Sequence, residues 1–320
     1  MALIKKAGEI PTRNNLRMCI YAPAGVGKTT LACSAPRPLL IDVDGSAYRL
    51  HQAHQVDTVE VSSYNDIEEL LERYDISEYK TIIFDTFGKL LECIGVSIIR
   101  DNQKYDAGSG TLTKDGYGIV AQKFRELCRN EILAEKNILF LAHQDNASRG
   151  DKPYYEPMGT GKNFARLATE LDLIGHIEMY GDNRILTFNP SEMYAGKNTC
   201  NLPAKLEIPV LIDSDGNIIE QNVFLSEQVI APYFKRQQVL KEQADKYATI
   251  VDKYKRSIKA ANTLAEFNEL YKRSREEQSL GSISVALGVL FGNASTERGY
   301  EYNKEKEIYY EPAKATKRKK

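Results

Sequence analysis

The sequence predicts an α/β fold. A mostly parallel sheet is flanked by helices, extended late in the chain by antiparallel hairpins, and followed by a helical C-terminal region. Three observations predict it. A glycine-rich segment, Ala22-Pro23-Ala24-Gly25-Val26-Gly27-Lys28-Thr29, joins an apolar run to a helix-compatible one. Apolar runs then alternate with segments of helical spacing, as in a sheet covered on both faces. From about residue 227 the pattern becomes that of long helices.

The first strand is Leu16-Arg17-Met18-Cys19-Ile20-Tyr21, and the helix after the glycine segment spans 29–35. Strand, glycine-rich loop, Lys-Thr and helix in that order make a phosphate-binding loop. Glycines at 25 and 27 let successive backbone N–H groups wrap a phosphate chain, because no Cβ blocks the approach. The helix N-terminus adds partial positive charge. Lys28 reaches the β- and γ-phosphates, and the Thr29 hydroxyl can ligate Mg²⁺. The expected nucleotide-binding residues are therefore Ala24, Gly25, Val26, Gly27, Lys28, Thr29 and Thr30. The pattern usually begins with Gly, and Ala22 stands there. An Ala is tolerable if φ stays negative.

The next strand, 38–44, ends in Asp42-Val43-Asp44, and 57–62 reads as another. Residues 65–74 have helical spacing at Ile67, Leu70 and Leu71. The run 79–86 ends in Asp85-Thr86, helices are expected at 90–100 and 119–134, and 105–118 reads as a mobile loop. Residues 137–143 form a buried strand ending in His143, followed by a polar loop over 144–162. A helix at 164–171 and a strand at 173–180 lead through Gly181-Asp182-Asn183 into a hairpin strand at 184–188. Residues 210–219 read as a second hairpin around Asp215-Gly216. Asp213, Asp215 and Asn217 faintly resemble a calcium loop, but Phe224 occupies the place of the bidentate acid.

Polar residues at strand ends carry the chemistry. Asp85, on a strand expected beside the first one, can hold Mg²⁺ directly or through water. Asp44 can orient or deprotonate an attacking water. Asp42, one alternation step away, points within the same face, and the sequence does not separate the two. His143 or Gln144 can touch a γ-phosphate. In the loop 145–162, Arg149, Lys152, Tyr154, Tyr155 and Lys162 interleave cations with aromatics, which suits single-stranded nucleic acid as well as an ordinary polar surface.

Leu240, Ala244, Tyr247, Val251, Tyr254, Ile258 and Ala261 repeat at heptad spacing, either for packing within the chain or for oligomerisation. Thr263-Leu264-Ala265-Glu266 reads as a capping box that restarts a helix. The organisation expected is an N-terminal extension (1–15), a nucleotide-binding core (16–226), a helical region (227–300) and a basic tail (301–320) without regular structure. The tail could also be a weak phosphate-binding arm. The net charge of −1 gives no global argument for a nucleic-acid partner. The five cysteines form no C-x-x-C pair, so neither a disulfide frame nor a zinc site is expected, and a reducing cytoplasm fits. There is no signal-peptide core and no membrane-spanning run.

Four pieces in this order, Tyr21-Ala22-Pro23-Ala24-Gly25-Val26-Gly27-Lys28-Thr29-Thr30, Leu40-Ile41-Asp42-Val43-Asp44-Gly45, Thr81-Ile82-Ile83-Phe84-Asp85-Thr86 and Leu139-Phe140-Leu141-Ala142-His143, resemble the phage nucleotide-binding proteins of the RecA-like P-loop class. That group includes shortened RecA-type proteins that assist single-strand annealing and recombination, and the resemblance covers roughly 16–224. It implies a RecA-like P-loop fold and an ATPase using ATP with Mg²⁺. It also implies a homo-oligomer on single-stranded DNA, with a single-strand-binding or annealing protein as a further partner. In that class the acid on the second of these strands acts on water. Asp44 takes that place where RecA carries Glu, which implies slow hydrolysis. His143 matches the γ-phosphate sensor better than Gln144. Lys197 lies where a neighbouring subunit's cation would come from. A nucleotide-gated interaction module and a motor or helicase-loading ATPase are the alternatives.

Overall fold

The structure is a computed structural model that describes residues 14–149, 152–159, 168–277 and 283–312. Most of the expected N-terminal extension, Lys162, most of the helix expected at 164–171 and the basic run 314–320 lie outside the described residues. The chain divides into two compact units, 13–236 and 237 onward.

The first unit is built on a ten-stranded sheet. In chain order its elements begin β1 Arg17–Ala22, α1 Lys28–Ala32, β2 Pro38–Asp42, β3 Thr58–Glu60, α2 Tyr64–Arg73, β4 Thr81–Asp85 and α3 Phe87–Asp101. A small separate hairpin follows, β5 Asp106–Gly108 with β6 Thr111–Leu112, then α4 Lys114–Arg129. The sheet resumes with β7 Asn137–Arg149, β8 Lys152–Pro157, β9 Leu173–Tyr180, β10 Asn183–Thr187, β11 Lys197–Asn198 and β12 Leu206–Ile208. The strand order is β12-β10-β9-β1-β7-β4-β2-β3, with β8 on β7 and β11 on β9. Pairing is parallel from β9 through to β3 and antiparallel from β9 to β10 and β12.

The central strands read as unbroken apolar runs because both faces are covered. Cys19, Tyr21, Leu39, Ile41, Ile82, Phe84, Ile138 and Phe140 enter one core with α2, α3 and α4. Met18, Ile20, Leu40, Ile83, Leu139 and Leu141 alternate with them into a second core. Leu31 and Ala32 of α1 and the segment from Phe224 to Tyr233 join that second core. Alternation of period two thus splits each strand between two layers, and the polar strand ends project beyond both.

The structure departs from expectation in several places. The loop expected at 144–162 is largely a hairpin, because β7 runs on to Arg149 and returns as β8. The loop expected at 105–118 contains β5 and β6, and α4 starts at Lys114 and ends at Arg129 rather than spanning 119–134. Gly108 (φ 124°) and Gly110 (φ 78°) turn the hairpin, whereas Gly116, like Gly95 on α3, serves packing. A Cβ on Gly116 would lie 2.8 Å from Leu112 Cδ2, and one on Gly95 2.9 Å from Leu112 Cδ1. The hairpin expected at 210–219 reduces to one bridge, between Ile212 and Ile218. The carboxylate of Asp213 accepts from the N–H groups of Asp215 and Asn217, so it closes the turn itself. Asp85's strand is not beside β1: β7 lies between them.

A π-helical turn, Leu225–Ile230, leads into α5, Ala231–Ala260. Leu225, Val229, Ile230 and Tyr233 belong to the second core, so the first unit extends into α5, past the boundary expected at 226. In the second unit, α6 Leu264–Ser274 starts from the expected capping box of Thr263 and Glu266. α7 Ile283–Arg298 and a hairpin, β13 Glu301–Asn303 with β14 Ile308–Tyr310, complete it. Residues 301–310 are therefore ordered into a hairpin where an irregular tail was expected. Tyr254, Ile258, Phe267, Leu287, Phe291 and Tyr309 form this unit's core. The heptad seam enters that core at Tyr254 and Ile258, while Leu240 is exposed. No described helix is long and apolar enough to cross a membrane.

Candidate nucleotide-binding site

The glycine-rich loop stands at the carboxyl end of β1, in the middle of the sheet. Ala22 is the last residue of that strand and pairs in register with His143 of β7. Ala22 is not among the residues with positive φ, so the Ala-for-Gly departure carries no backbone strain. Gly25 (φ 82°) and Gly27 (φ 86°) do need glycine's freedom. Gly27 caps α1 with no side-chain hydrogen bond, which leaves the N–H groups of the first turn to other acceptors. α1 has five residues, shorter than expected, so loop N–H groups and Lys28 dominate over any helix dipole. Val26 is the exception among the loop side chains, since it packs against the second core.

Lys28 is buried, and its Nζ donates to the carbonyls of Ala22 (3.2 Å) and Pro23 (2.9 Å). Burial pulls its pKa down, against the attraction of Asp85 and Asp44. The Thr29 hydroxyl donates to Asp85 Oδ2 at 2.6 Å, joining α1 to the end of β4 across the intervening β7. Asp85 is buried, and desolvation pushes its carboxyl above the usual range. The Thr29 bond opposes this, and Asp44 and Asp42 reinforce it. The peptide bond after Asp85 is cis.

The Asp85 carbonyl accepts from the N–H groups of Val43 (2.8 Å) and Asp44 (3.0 Å), which ties the turn after β2 to the end of β4. This turn separates the two acids that sequence could not. Asp42 is buried, and its carboxylate accepts from the N–H groups of Ser46 (3.1 Å) and Ala47 (2.9 Å). Asp44 is exposed and faces the cleft above the loop. His143 and Gln144 divide in the same way. His143 lines the cleft, and burial lowers its pKa, with Lys28 adding to the shift. Gln144 Oε1 instead lies 2.9 Å from Nε2 of the buried His176 on β9.

The cleft encloses about 260 Å³. Ala24, Gly25, Gly27, Lys28, Thr29 and Thr30 form one wall, and Asp44, Asp85 and His143 another. Ser46, Arg49, Leu50 and Thr86 complete it. The sequence left no periodic or spacing signal for Ser46, Arg49 or Leu50, because they arrive on an irregular excursion between β2 and β3. A larger cleft of about 870 Å³ opens elsewhere on this unit, around Arg17, Lys80 and Asn137 at the opposite ends of the strands. It has no glycine loop converging on it.

Lys197, expected as a cation for a neighbouring subunit's site, donates its ammonium to the carbonyls of Ala168 (3.0 Å) and Leu171 of its own chain. In the β7–β8 hairpin, Tyr154 is 5% exposed within the first core, and the half-buried Tyr155 lies parallel to His176 (6.4 Å between ring centroids). Tyr154 therefore offers no open face for a base. Lys152 is exposed and paired with the exposed Glu192 at 2.8 Å, a contact of about 0–1 kcal/mol.

The donor set fits a magnesium-bound nucleotide. Among the described residues no three His, Cys, Asp or Glu side chains gather as a metal site. A divalent ion beside Thr29 and Asp85 would need most of its oxygens from phosphate and water, and Mg²⁺ is held in that way.

Comparison with known proteins agrees with this geometry. The chain matches no curated protein. A solved structure described as the crystal structure of the RadB recombinase is similar over 55% of this chain and 80% of that one, at 16% identity and a TM-score of 0.33. The family model described as an AAA domain matches residues 14–200, from the start of β1 to just past β11 and across the whole glycine-loop site. The chain belongs to this AAA domain family.

Proposed function

We propose that this protein is a Mg²⁺-dependent, RecA-like ATPase that acts on single-stranded DNA in phage recombination or replication. The observation that carries the ATPase reading is the bond of 2.6 Å from Thr29 to Asp85, beside a buried Lys28 and two glycines at positive φ. Lys28 stabilises negative charge on the β- and γ-phosphates. Thr29 would ligate a Mg²⁺ ion and Asp85 would hold it through Thr29 or water, the ion supplying neutralisation of phosphate charge when bound. Asp44, exposed at the cleft, orients and accepts a proton from the attacking water. His143 contacts the terminal phosphate from the strand next to the loop. Asp42 is committed to the turn that presents Asp44.

The DNA part of the proposal rests on the resemblance of the four sequence pieces, since Tyr154 is buried. The β7–β8 hairpin begins directly after His143, so it is the element through which nucleotide state would reach a partner. A second reading, a nucleotide-gated interaction module, is favoured by one observation. α7 exposes Val285 (70%) and Val289 (58%) on one side, with open space over Gly288 and Gly292.

Steady-state ATP hydrolysis, with and without single-stranded DNA and with Lys28→Ala as the blank, tests these readings. Hydrolysis stimulated by DNA and absent in the variant is expected. Hydrolysis indifferent to DNA favours the interaction module, and turnover undiminished in Lys28→Ala removes the site assignment.

A further inference from the structure

One guanidinium leans on the phosphate-binding loop from the β10 side, across the loop from Asp44 and Asp85. Arg184 sits on β10, held in register between Met179 of β9 and Ile208 of β12. Its Nη2 donates to the Pro209 carbonyl at 2.6 Å. Its Nη1 stands 2.8 Å from the point a Cβ on Gly27 would occupy. Glycine at 27 is required by its φ of 86°, and the guanidinium tip lies against its open side.

Arg184 is half-buried, and burial lowers its pKa. Among the described residues no carboxylate forms an ion pair with it within 4.0 Å. A guanidinium offers five N–H donors, and the described bond to Pro209 uses one of them. A partly desolvated cation without a counter-charge is costly unless an anion completes it. The backbone it abuts is the segment whose N–H groups cradle α- and β-phosphates in a loop of this kind.

We propose that Arg184 is a phosphate ligand of this site, closing on the α- and β-phosphates of a bound nucleoside di- or triphosphate from the β10 flank. The inference rests on the nucleotide-binding reading above and adds a residue to it. Asp44, Asp85 and His143 crowd the other flank, where the terminal phosphate lies. Arg184 therefore serves ADP and ATP alike. It binds from the same chain that supplies the loop, with no neighbouring subunit needed.

Calorimetric titration of Mg-ADP and Mg-ATP into wild type, Arg184→Ala and Arg184→Lys tests this. Arg184→Ala should weaken both nucleotides by the same factor, about tenfold or more, with Arg184→Lys recovering part of the loss. Wild-type affinity for both nucleotides in Arg184→Ala overturns the proposal and leaves Arg184 as a pin for Pro209. A loss confined to ATP overturns the α/β placement. If the wild type binds neither nucleotide, the nucleotide reading itself has failed. One arm needs no variant to fold: ADP should shield residue 184 of the wild type from phenylglyoxal, read by peptide mass spectrometry. Equal modification with and without ADP contradicts the proposal.

Discussion

The glycine loop separates two unlike flanks. Toward β7, β4 and β2, Asp44, Asp85 and His143 line the cleft, with Asp42 bound in the turn behind Asp44, and Asp85 is raised by its own burial. Toward β9 and β10 stands a half-buried guanidinium that makes no ion pair with the described carboxylates. Each flank leaves charge that a ligand can complete. Clustered acids repel one another and call for a cation, while a desolvated Arg calls for an anion. On the proposed reading, a magnesium-bound nucleotide would satisfy both, its metal end toward the acids and its inner phosphates toward Arg184.

The largest effect should come from the acid flank's own demand. Asp85→Asn removes the buried charge and keeps the shape, so two opposite results are expected. Mg-dependent hydrolysis should fall by about a hundredfold or more, as for other lost electrostatic groups at a reacting centre. The protein without nucleotide should melt at a higher temperature near neutral pH. The sign follows from linkage. A carboxyl whose folded pKa is raised binds more protons in the native state, so stability falls as pH rises through the interval above the unfolded value. A lower melting temperature for Asp85→Asn at pH 7 would break this account of the flank.

A sharper cut falls between the two acids on the β2 turn. Asp44→Asn should slow hydrolysis by about ten- to a thousandfold, the scale of a general base, with the melting temperature unchanged because Asp44 is exposed. Asp42→Ala should instead lower stability by about 1–3 kcal/mol, because the N–H groups of Ser46 and Ala47 lose their acceptor. Chemical denaturation and single-turnover hydrolysis on both variants check the pair. An unstable Asp44→Asn with normal hydrolysis would reverse the roles.

A smaller effect is expected at His176, on β9. It is buried, its Nδ1 has no hydrogen-bond partner, and burial lowers its pKa. A group with a depressed folded pKa, neutral in the native state, stabilises above its unfolded value, and that stability is lost as pH falls below about 6.5. His176→Asn should therefore flatten the melting-temperature profile between pH 7 and 5. An unchanged slope would show that His176 does not contribute to it.

Much of the acid flank was legible in the sequence, because β1, β2, β4 and β7 are buried on both faces and, β1 apart, carry polar residues at the same edge. Gly25, Gly27, Lys28 and Thr29 announce themselves by spacing. The β7–β8 hairpin was not legible, since beyond His143 its residues are polar and carry no two-residue hydrophobic alternation to separate a strand from a loop. Gly116 misled for a physical reason: it makes room for Leu112 rather than for a turn. Arg184 was invisible because its contact with Gly27 joins distant parts of the chain through the order β10-β9-β1, which no local pattern encodes. The choices of Asp44 over Asp42 and of His143 over Gln144 depend on where hydrogen bonds go, and residue order leaves these open.

The central claim is that the loop from Ala22 to Thr29 binds a magnesium nucleotide through Lys28. Calorimetric titration of Mg-ATP into wild type and Lys28→Ala tests it most directly. The account predicts measurable binding by the wild type and a loss of roughly a hundredfold or more in the variant, the cost of removing one partner from a buried charge pair. Equal affinity in the two proteins, or no binding by a folded wild type, would contradict it.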